Sequence, residues 1–293
     1  MSQAKKPLAA YSGLVVLSLI WGLAFVAIRR ADQELSPVNL ALMRWLVASV
    51  LFLILLPIIG RSKTKLERKD VPRLLLVAFA NVVGYHISLN YAETTVSAGL
   101  AGLLISFGPI FIVVLSFLLL QEKAGLKVLV GLVLAVSGTL VLSLGAVTLS
   151  DLYSLIGAGE VILSALCFAI FAVLGKPLVH KYGSASTTIL AGLLGTAMMT
   201  PLLSGTFVSQ VLALSLDGWI SVLYLSVLST VIGYLLFYTL VSRGAVSRLS
   251  IQLYLVPVFS VVGGALLLNE PVTLLMVSGG SMMLVAVALS TWK

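Results

Sequence analysis

The sequence contains few charged residues and a single cysteine. Only 10% of its 293 residues are Asp, Glu, Lys or Arg, whereas a soluble domain carries roughly a quarter. With 60% hydrophobic residues and a mean hydropathy of +1.17, the chain has too little polar surface to fold in water. The lone Cys167 excludes an internal disulfide and any metal site built on paired thiols. We therefore expect a chain embedded in lipid, with no sizeable soluble domain.

Two further absences restrict the classes of function. The sequence has no glycine-rich phosphate-binding loop of the Walker type, so ATP is not expected to drive this chain directly. Its two histidines, His86 and His180, lie 94 positions apart, and no pair of deep acids is evident. A membrane-embedded enzyme would need such ligands clustered at depth. We therefore expect no enzymatic activity, no catalytic residue, no cofactor and no bound metal.

Apolar runs divide the chain into segments long enough to cross a bilayer, which takes about 20 residues as a helix. Charges and Gly or Pro breaks separate ten such segments, at 9–28, 38–59, 71–91, 96–120, 126–145, 154–174, 184–203, 219–241, 249–268 and 273–291. The first run is long for a cleaved signal peptide and no small-x-small site follows it, which favours a membrane helix. The predicted fold class is an all-α integral membrane protein with ten transmembrane helices.

The positive charges predict how the chain is oriented. Lys and Arg concentrate in cytoplasmic loops. With the N-terminus inside, 15 of the 18 fall on the cytoplasmic side, Arg29 and Arg30 fall outside, and Arg44 lies within the second segment. This predicts a multi-pass protein of the cytoplasmic (inner) membrane with both termini cytoplasmic. The net charge of +8 then forms a collar at the membrane surface, so we expect no nucleic-acid partner.

The two halves of the chain resemble each other. "LLLQEK" begins at Leu118 and "LLLNEP" at Leu266, and in each half a proline precedes the glutamate by 13 residues, Pro109 before Glu122 and Pro257 before Glu270. Within the first and sixth segments, "LSLIWGLAF" from Leu17 resembles "LSALCFAIF" from Leu163. We therefore predict two five-helix repeats, residues 1–148 and 149–293. Because five is odd, the second repeat is inverted in the membrane, as is typical of secondary transporters.

These features resemble the drug/metabolite transporter superfamily, specifically its EamA-type ten-helix exporters. The resemblance covers nearly the whole chain and rests on the mid-helix prolines and the "LLL[QN]E" endings. It implies an alternating-access carrier in which helices five and ten are peripheral and the others surround a central cavity. Members move amino acids, small metabolites or drugs, usually outward. The resemblance therefore also suggests an exporter of aromatic or neutral amino acids. Cys167 and Phe168 depart from the Trp-Gly that the family often shows here.

Aromatic and polar residues at membrane depth are the candidate substrate-binding residues. Such residues usually face protein or water instead of lipid, although aromatic stripes also serve packing and interface anchoring. His86 is either a substrate contact or proton acceptor, or a satisfied structural histidine. The candidates are Trp21, Tyr85, His86, Asn90, Phe171, Tyr234, Gln252 and Tyr254.

Prolines and glutamates mark the matching ends of the repeats. Pro109 and Pro257 are expected within spans, where each removes a backbone donor and acts as a hinge beside the cavity or as a static kink. Glu122 and Glu270 are expected near the interface as caps of the helices that follow them. A stripe of Gly131, Ala135 and Gly138 allows close packing within each half or a homodimer interface.

The sequence therefore predicts a secondary transporter that exports amino acids or similar small amphipathic metabolites by alternating access. Its partners are the small-molecule substrate and membrane lipid. Aromatic walls and few deep charges favour a solute with an apolar body whose charges nearly cancel. An exporter of drugs or other metabolites in the same superfamily is the alternative, and a membrane-embedded enzyme is a weaker one.

Overall fold

The computed structural model describes residues 5–60, 64–96, 101, 104–122, 125–144, 152–244, 246, 249 and 253–291, and the regular elements in these residues are helices. They are α1 (Lys5–Ala31), α2 (Pro37–Ile59), α3 (Val71–Ala78), α4 (His86–Thr95), α5 (Gly108–Leu120), α6 (Leu126–Leu144), α7 (Leu152–Tyr182), α8 (Ser184–Met199), α9 (Phe207–Leu212), α10 (Leu216–Leu223), α11 (Gly233–Val241), α12 (Leu255–Leu268) and α13 (Leu274–Thr291). Short 3₁₀ turns cover Arg68–Asp70, Ile105–Phe107 and Thr200–Leu202.

Six of the described helical stretches are long and apolar enough to cross a membrane, and four shorter apolar helices accompany them. The long spans are Ser12–Ala31, Pro37–Ile59, Arg68–Thr95, Leu155–Tyr182, Ser184–Leu202 and Leu216–Val241. The shorter helices are Ile105–Leu120, Leu126–Val141, Leu255–Leu268 and Leu274–Leu289. The prediction of an all-helical membrane protein is confirmed, whereas the layout of ten spans in two inverted repeats stays a prediction.

Two of the long spans are interrupted by π-helical segments. Phe79–Tyr85 joins α3 to α4, and Tyr224–Ile232 joins α10 to α11. Within the second segment the Thr230 hydroxyl donates to the carbonyl of Leu225, 2.8 Å away and five residues earlier. Each wide turn changes which face of the following helix points inward, and such segments occur frequently at functional sites.

The helices pack in matching pairs across the molecule. Helix α1 lies along α12, α7 lies against α5, and α6 lies along α13. A Cβ on Gly138 of α6 would come within 2.7 Å of the Gly279 carbonyl oxygen and 3.1 Å of the Met283 nitrogen on α13. We call this contact the glycine crossing, because small residues let two membrane helices approach at backbone distance. Ala135 is also buried in the cluster between α6 and α13, so these residues of the predicted stripe pack between the two halves of the chain and not within one half, while the homodimer stays a prediction.

Both prolines lie inside the predicted spans 96–120 and 249–268, at points where a regular α-helix starts after helical residues earlier in the span. Pro109 is the second residue of α5 and follows the turn Ile105–Phe107, and Pro257 is the third residue of α12. Both helices begin around the proline because the first turn needs no hydrogen bond from that nitrogen. The Leu253 carbonyl accepts from the Val256 nitrogen at 2.9 Å instead of lying free. The hinge role of both prolines stays a prediction.

Glu270 does not cap the helix that follows it, so this half of the expectation is wrong, whereas capping by Glu122 stays a prediction. Gln121 and Asn269 adopt the left-handed conformation, each with φ of 54°, directly after α5 and α12. The backbone nitrogens of Glu122 and Glu270 then donate to the Ser116 and Gly264 carbonyls at 3.2 and 3.1 Å. Both turns therefore close the C-terminus of the preceding helix. Helix α13 is capped by Thr273, whose hydroxyl accepts from the Met276 nitrogen at 3.2 Å.

Candidate substrate cavity

A cavity lies between α1, α2, α5, α7, α12 and the two π segments. It reaches from Ala165 and Phe168 on α7 to Ile28, near the end of α1. It offers about 60 Å³ to the centres of water molecules, which is room for only a few of them. This volume is small for a solute with a large apolar body, so binding of such a solute would require the walls to move apart.

Aromatic side chains form most of one wall of the cavity. The Trp21 ring lies 5.5 Å from Phe168 in an edge-to-face arrangement and 5.6 Å from Tyr234. Tyr85 lies 5.7 Å from Phe168 on the other side. The Trp21 indole nitrogen donates to the Ser229 carbonyl at 3.1 Å, which fixes the orientation of the ring. This wall suits the apolar body of an organic solute.

Tyr234 is held from behind by Trp45 and His86. The Trp45 ring is stacked on Tyr234 at 5.8 Å and meets His86 edge to face at 5.2 Å. His86 is completely buried, with Nδ1 2.8 Å from the Asn81 carbonyl oxygen and Nε2 3.5 Å from the Tyr234 hydroxyl. His86 therefore supports a lining residue and does not itself line the cavity.

Arg44 brings a positive charge to the cavity at membrane depth. Its side chain is only 4% exposed and still contributes to the lining. Nε donates to the Thr230 hydroxyl at 2.6 Å and Nη2 to the Ser229 hydroxyl at 3.0 Å, both in the second π segment. Within the described part of the chain, no carboxylate lies within 4 Å of this guanidinium.

The cavity is closed at one end by a cluster of rings that we call the aromatic plug, consisting of Phe171, Phe237 and Tyr238. Phe171 and Tyr238 are stacked at 4.5 Å, and the Tyr238 hydroxyl donates to the Phe171 carbonyl at 2.9 Å. Beyond the plug, Lys176 Nζ lies 2.6 Å from Glu122 Oε1, in an ion pair whose side chains are 18% and 13% exposed. We call this side the Glu122 end.

The opposite side, which we call the Glu270 end, is built differently. Arg29 and Arg30 at the end of α1 donate to the backbone carbonyls of Glu93 and Leu267, at 3.0 and 2.9 Å. Among the described residues, no ion pair joins Arg30 to Glu270. Asp32, directly after α1, has both carboxyl oxygens buried without a hydrogen-bond partner in this part of the structure. Its burial raises the pKa of Asp32 to about 7, and the nearby Arg29 only partly opposes this.

The structure brings three of the eight predicted binding residues to the cavity, namely Trp21, Tyr85 and Tyr234. Phe171 lies in the plug and His86 lies behind Tyr234. Asn90 donates to the Pro37 carbonyl at 3.0 Å and so ties α4 to α2. Tyr254 is buried in the separate cluster with α6 and α13, and Gln252 is outside the described residues.

Several residues of the site were not among the predicted binding residues. Phe168 and Ser229 line the cavity, and Trp45 positions Tyr234 and His86. Arg44 carries the clearest sequence signal, because a charge inside an apolar segment usually marks a substrate path or a buried partner. The sequence offers no comparable signal for Phe168 or Trp45, since aromatic residues are common in packed helices.

Comparison with known proteins identifies the family. The model of the EamA-like transporter family matches residues 8–144 and again residues 155–292. The chain belongs to the EamA-like transporter family. The resemblance to EamA-type members of the drug/metabolite transporter superfamily, inferred from the sequence, is thereby confirmed.

This EamA-like transporter is similar over nearly its whole length to several curated relatives. It is 34% identical over 276 residues to an uncharacterized transporter of Archaeoglobus fulgidus, spanning 93% of this chain and 96% of the relative. It is 31% identical to the uncharacterized transporter YdfC of Bacillus subtilis, spanning 89% of this chain and 84% of the relative. A probable terminal-alkyne amino-acid exporter of Streptantibioticus cattleyicolor is 29% identical, with 94% and 91% covered.

A solved crystal structure shares the fold of this EamA-like transporter. The two align with a TM-score of 0.72 over 96% of each chain, at 16% sequence identity. The relatives and the apolar helices together show a multi-pass membrane transporter.

Proposed function

We propose that this EamA-like transporter is a secondary carrier that exports amino acids or similar small amphipathic metabolites across the cytoplasmic membrane by alternating access. The observation that carries the proposal is the composition of the cavity, where aromatic walls meet one buried positive charge. Sites for small molecules are mostly apolar, and a few placed polar groups fix the orientation of the ligand. An amino acid supplies both parts, an apolar side chain and a carboxylate.

The asymmetry of the two ends supports alternating access. The aromatic plug and the Lys176–Glu122 ion pair close the Glu122 end, while the cavity extends from the centre towards the Glu270 end. We propose that residues 1–148 and 149–293 form inverted five-helix repeats that exchange these two arrangements. Because the positive residues predict the Glu122 end to be cytoplasmic, the present state corresponds to a closed cytoplasmic side.

The choice of amino acids over other solutes has separate support. One relative, from Streptantibioticus cattleyicolor, is described as a probable exporter of terminal-alkyne amino acids. An exporter of drugs or other metabolites is the second candidate, because aromatic walls accept many apolar bodies. The buried Arg44 favours the first candidate, since many drugs are cations and would meet a like charge.

Transport assays with purified protein in proteoliposomes test this proposal. Vesicles preloaded with an unlabelled amino acid are expected to exchange it for the labelled compound with saturable kinetics above those of empty vesicles. Absence of exchange for every amino acid in a complete panel would remove the substrate assignment.

A pair of phenylalanine substitutions tests whether the solute binds in this cavity during exchange. Phe168→Leu replaces a ring of the cavity wall, and we expect the concentration for half-maximal exchange to rise roughly fivefold, because a lost aromatic contact costs about 1 kcal/mol. Phe117→Leu alters a ring on α5 that is 59% exposed on the outer surface, and it is expected to leave exchange unchanged. Equal effects of both substitutions would contradict the position of the site.

A further inference from the structure

We propose that Arg44 binds the carboxylate of the transported solute, so that the cavity accepts monocarboxylates and zwitterions and rejects organic cations. This inference rests on the proposed function and specifies the chemical class of its substrate. It assigns one residue a direct role in recognition, and it separates the two candidate functions given above.

The first argument is the cost of an unpaired charge at this depth. A guanidinium inside a membrane span normally pairs with an acid or faces a water-filled path. Both hydrogen-bond partners of Arg44 are neutral hydroxyls, those of Ser229 and Thr230. Glu93 on α4 is a buried acid, but among the described residues it lies beyond ion-pair distance of Arg44. A solute carboxylate in the cavity would supply the missing negative charge.

The second argument is that the guanidinium of Arg44 is held in place by hydrogen bonds that engage only some of its N–H donors. An arginine has five N–H donors in one plane, an arrangement that matches the two oxygens of a carboxylate. The Thr230 hydroxyl donates to the Leu225 carbonyl and therefore turns a lone pair towards Arg44 Nε. The hydrogen bonds of Arg44 to the two hydroxyls come from Nε and Nη2. The side chain is thus oriented by protein groups and retains donors for a ligand.

The third argument is that one segment positions both the charge and the aromatic wall. Ser229 accepts from Arg44 through its hydroxyl and from Trp21 through its backbone carbonyl. The distance between the cation and the indole ring is therefore set by a single residue of the second π segment. This arrangement matches a solute whose carboxylate lies a short, defined distance from an apolar group, as it does in an α-amino acid.

A single cation also limits the charge of the solute. A phosphate ester or dicarboxylate would bring a second negative charge into a cavity where Arg44 is the only basic residue among the described residues of the lining. An uncompensated charge in such surroundings is strongly unfavourable. The cavity therefore fits one carboxylate and not a doubly charged anion.

Matched pairs of acids and amines test the inference on the unaltered protein. The probes are phenylalanine with phenethylamine, leucine with isopentylamine, and alanine with ethylamine, and each amine lacks only the carboxylate. Binding to the purified protein in detergent and exchange in proteoliposomes are both measured. We expect at least one acid to bind and exchange, with its amine weaker by roughly tenfold to 100-fold, the range for a lost hydrogen bond to a charged group.

A neutral variant tests the residue itself. Arg44→Gln keeps amide donors for the two hydroxyls but removes the charge, so we expect acid affinity to fall roughly tenfold to 100-fold while amine affinity does not fall. Arg73→Gln makes the same change at an exposed position on α3 and is the control. Size-exclusion chromatography and the melting temperature establish whether each variant is folded. If Arg44→Gln does not fold, the matched acids and amines on the unaltered protein decide whether the cavity recognises a carboxylate.

The outcomes separate this inference from the proposed function. Acid binding that depends on Arg44 without any exchange supports the carboxylate site and removes the transport assignment. Exchange of amines as fast as of acids, or acid exchange that folded Arg44→Gln leaves unchanged, overturns the carboxylate site and leaves transport in place. No binding of any acid overturns the site assignment.

Discussion

At the scale of single residues, the site depends on a few contacts between side chains and the second π segment. Ser229 and Thr230 hold Arg44, and the Ser229 carbonyl also holds Trp21. Tyr234 follows in the same span and is stacked on Trp45. The positions of the charge and the aromatic wall are therefore coupled, and a change at Ser229 would disturb both.

A prediction about pH belongs to this scale and concerns Asp32. Burial raises the pKa of Asp32 to about 7 from an ordinary value of 3.8. The folded protein therefore holds this proton more tightly than the unfolded chain. The resulting stability is fully present below pH 4 and is lost as the pH rises through 7. Melting temperatures in detergent between pH 4 and 8 should fall less steeply for Asp32→Asn than for the unaltered protein.

Glu34 provides a control of opposite sign for the same experiment. Hydrogen bonds from the hydroxyl and backbone nitrogen of Ser215 lower the pKa of Glu34 below its usual value. Its contribution to stability is therefore present at neutral pH and lost on acidification. Glu34→Gln should reduce the fall in melting temperature at low pH and should not alter the slope of melting temperature against pH near pH 7. Identical profiles for Asp32→Asn and the unaltered protein would contradict the buried state of Asp32.

Residue identity alone predicted only part of this site. Trp21, Tyr85 and Tyr234 are large and amphipathic, and the structure places them in the cavity wall. Asn90 and Tyr254 have the same general character, yet one bonds to the Pro37 carbonyl and the other packs beside α6. The sequence could not separate these cases, because polarity indicates that a side chain avoids lipid but not which buried surface it meets.

At the scale of helices, hydropathy predicted the bounds of several helices closely. It did not predict where the backbone departs from a regular α-helix. The predicted span 38–59 compares with Pro37–Ile59, and 126–145 compares with Leu126–Leu144. A π segment contains an extra residue per turn and rotates all later side chains. Faces assigned at regular helical spacing across residues 79–85 are therefore displaced. The start of α5 and α12 around a proline follows from the missing N–H of that residue, which a hydropathy profile does not encode.

Two glycines on α7 yield a prediction at this scale. A Cβ at Gly175 would collide with the Tyr238 hydroxyl and ring, whereas nothing lies within 4 Å of one at Gly159. We expect Gly175→Ala to destabilise the protein by about 1–3 kcal/mol through overpacking. Gly159→Ala should be neutral or stabilising by up to about 1 kcal/mol, because alanine favours the helix. Thermal unfolding in detergent measures both.

A second substitution identifies the cause of the Gly175 effect. Tyr238→Phe removes the hydroxyl that the new methyl group would meet, so the double variant should recover part of the loss. If Gly175→Ala and Gly159→Ala melt at the same temperature, Tyr238 does not pack against Gly175 as described.

At the scale of the whole molecule, the two ends are built from corresponding residues in different arrangements. The left-handed turns at Gln121 and Asn269 are nearly identical in backbone angles, φ 54° and ψ 29° or 33°. Lys176 nevertheless pairs with Glu122, whereas Arg30 donates to the Leu267 carbonyl. The sequence predicted matching ends but not this difference, because the difference belongs to one conformation and not to the pattern of residues.

Breaking the ion pair tests whether it holds the Glu122 end closed. In a Cys167→Ala background, a cysteine in place of Ser106 in the cavity reports access of an impermeant thiol reagent from each side of the membrane. Glu122→Gln should raise labelling from the Glu122 side roughly fivefold, as expected if the pair contributes about 1 kcal/mol to that state. Glu270→Gln is the matched control and should not raise it. Labelling that Glu122→Gln leaves unchanged would show that the pair does not hold this end closed.

The glycine crossing has a practical consequence for anyone who wants to observe motion in this protein. Two backbones in direct contact at Gly138 and Gly279 have no side-chain layer that could rearrange between them. We expect helices joined in this way to keep their relative position while other parts of the protein move. The distance between spin labels near this contact on α6 and α13 would thus stay constant. It could serve as a reference for changing distances across the cavity.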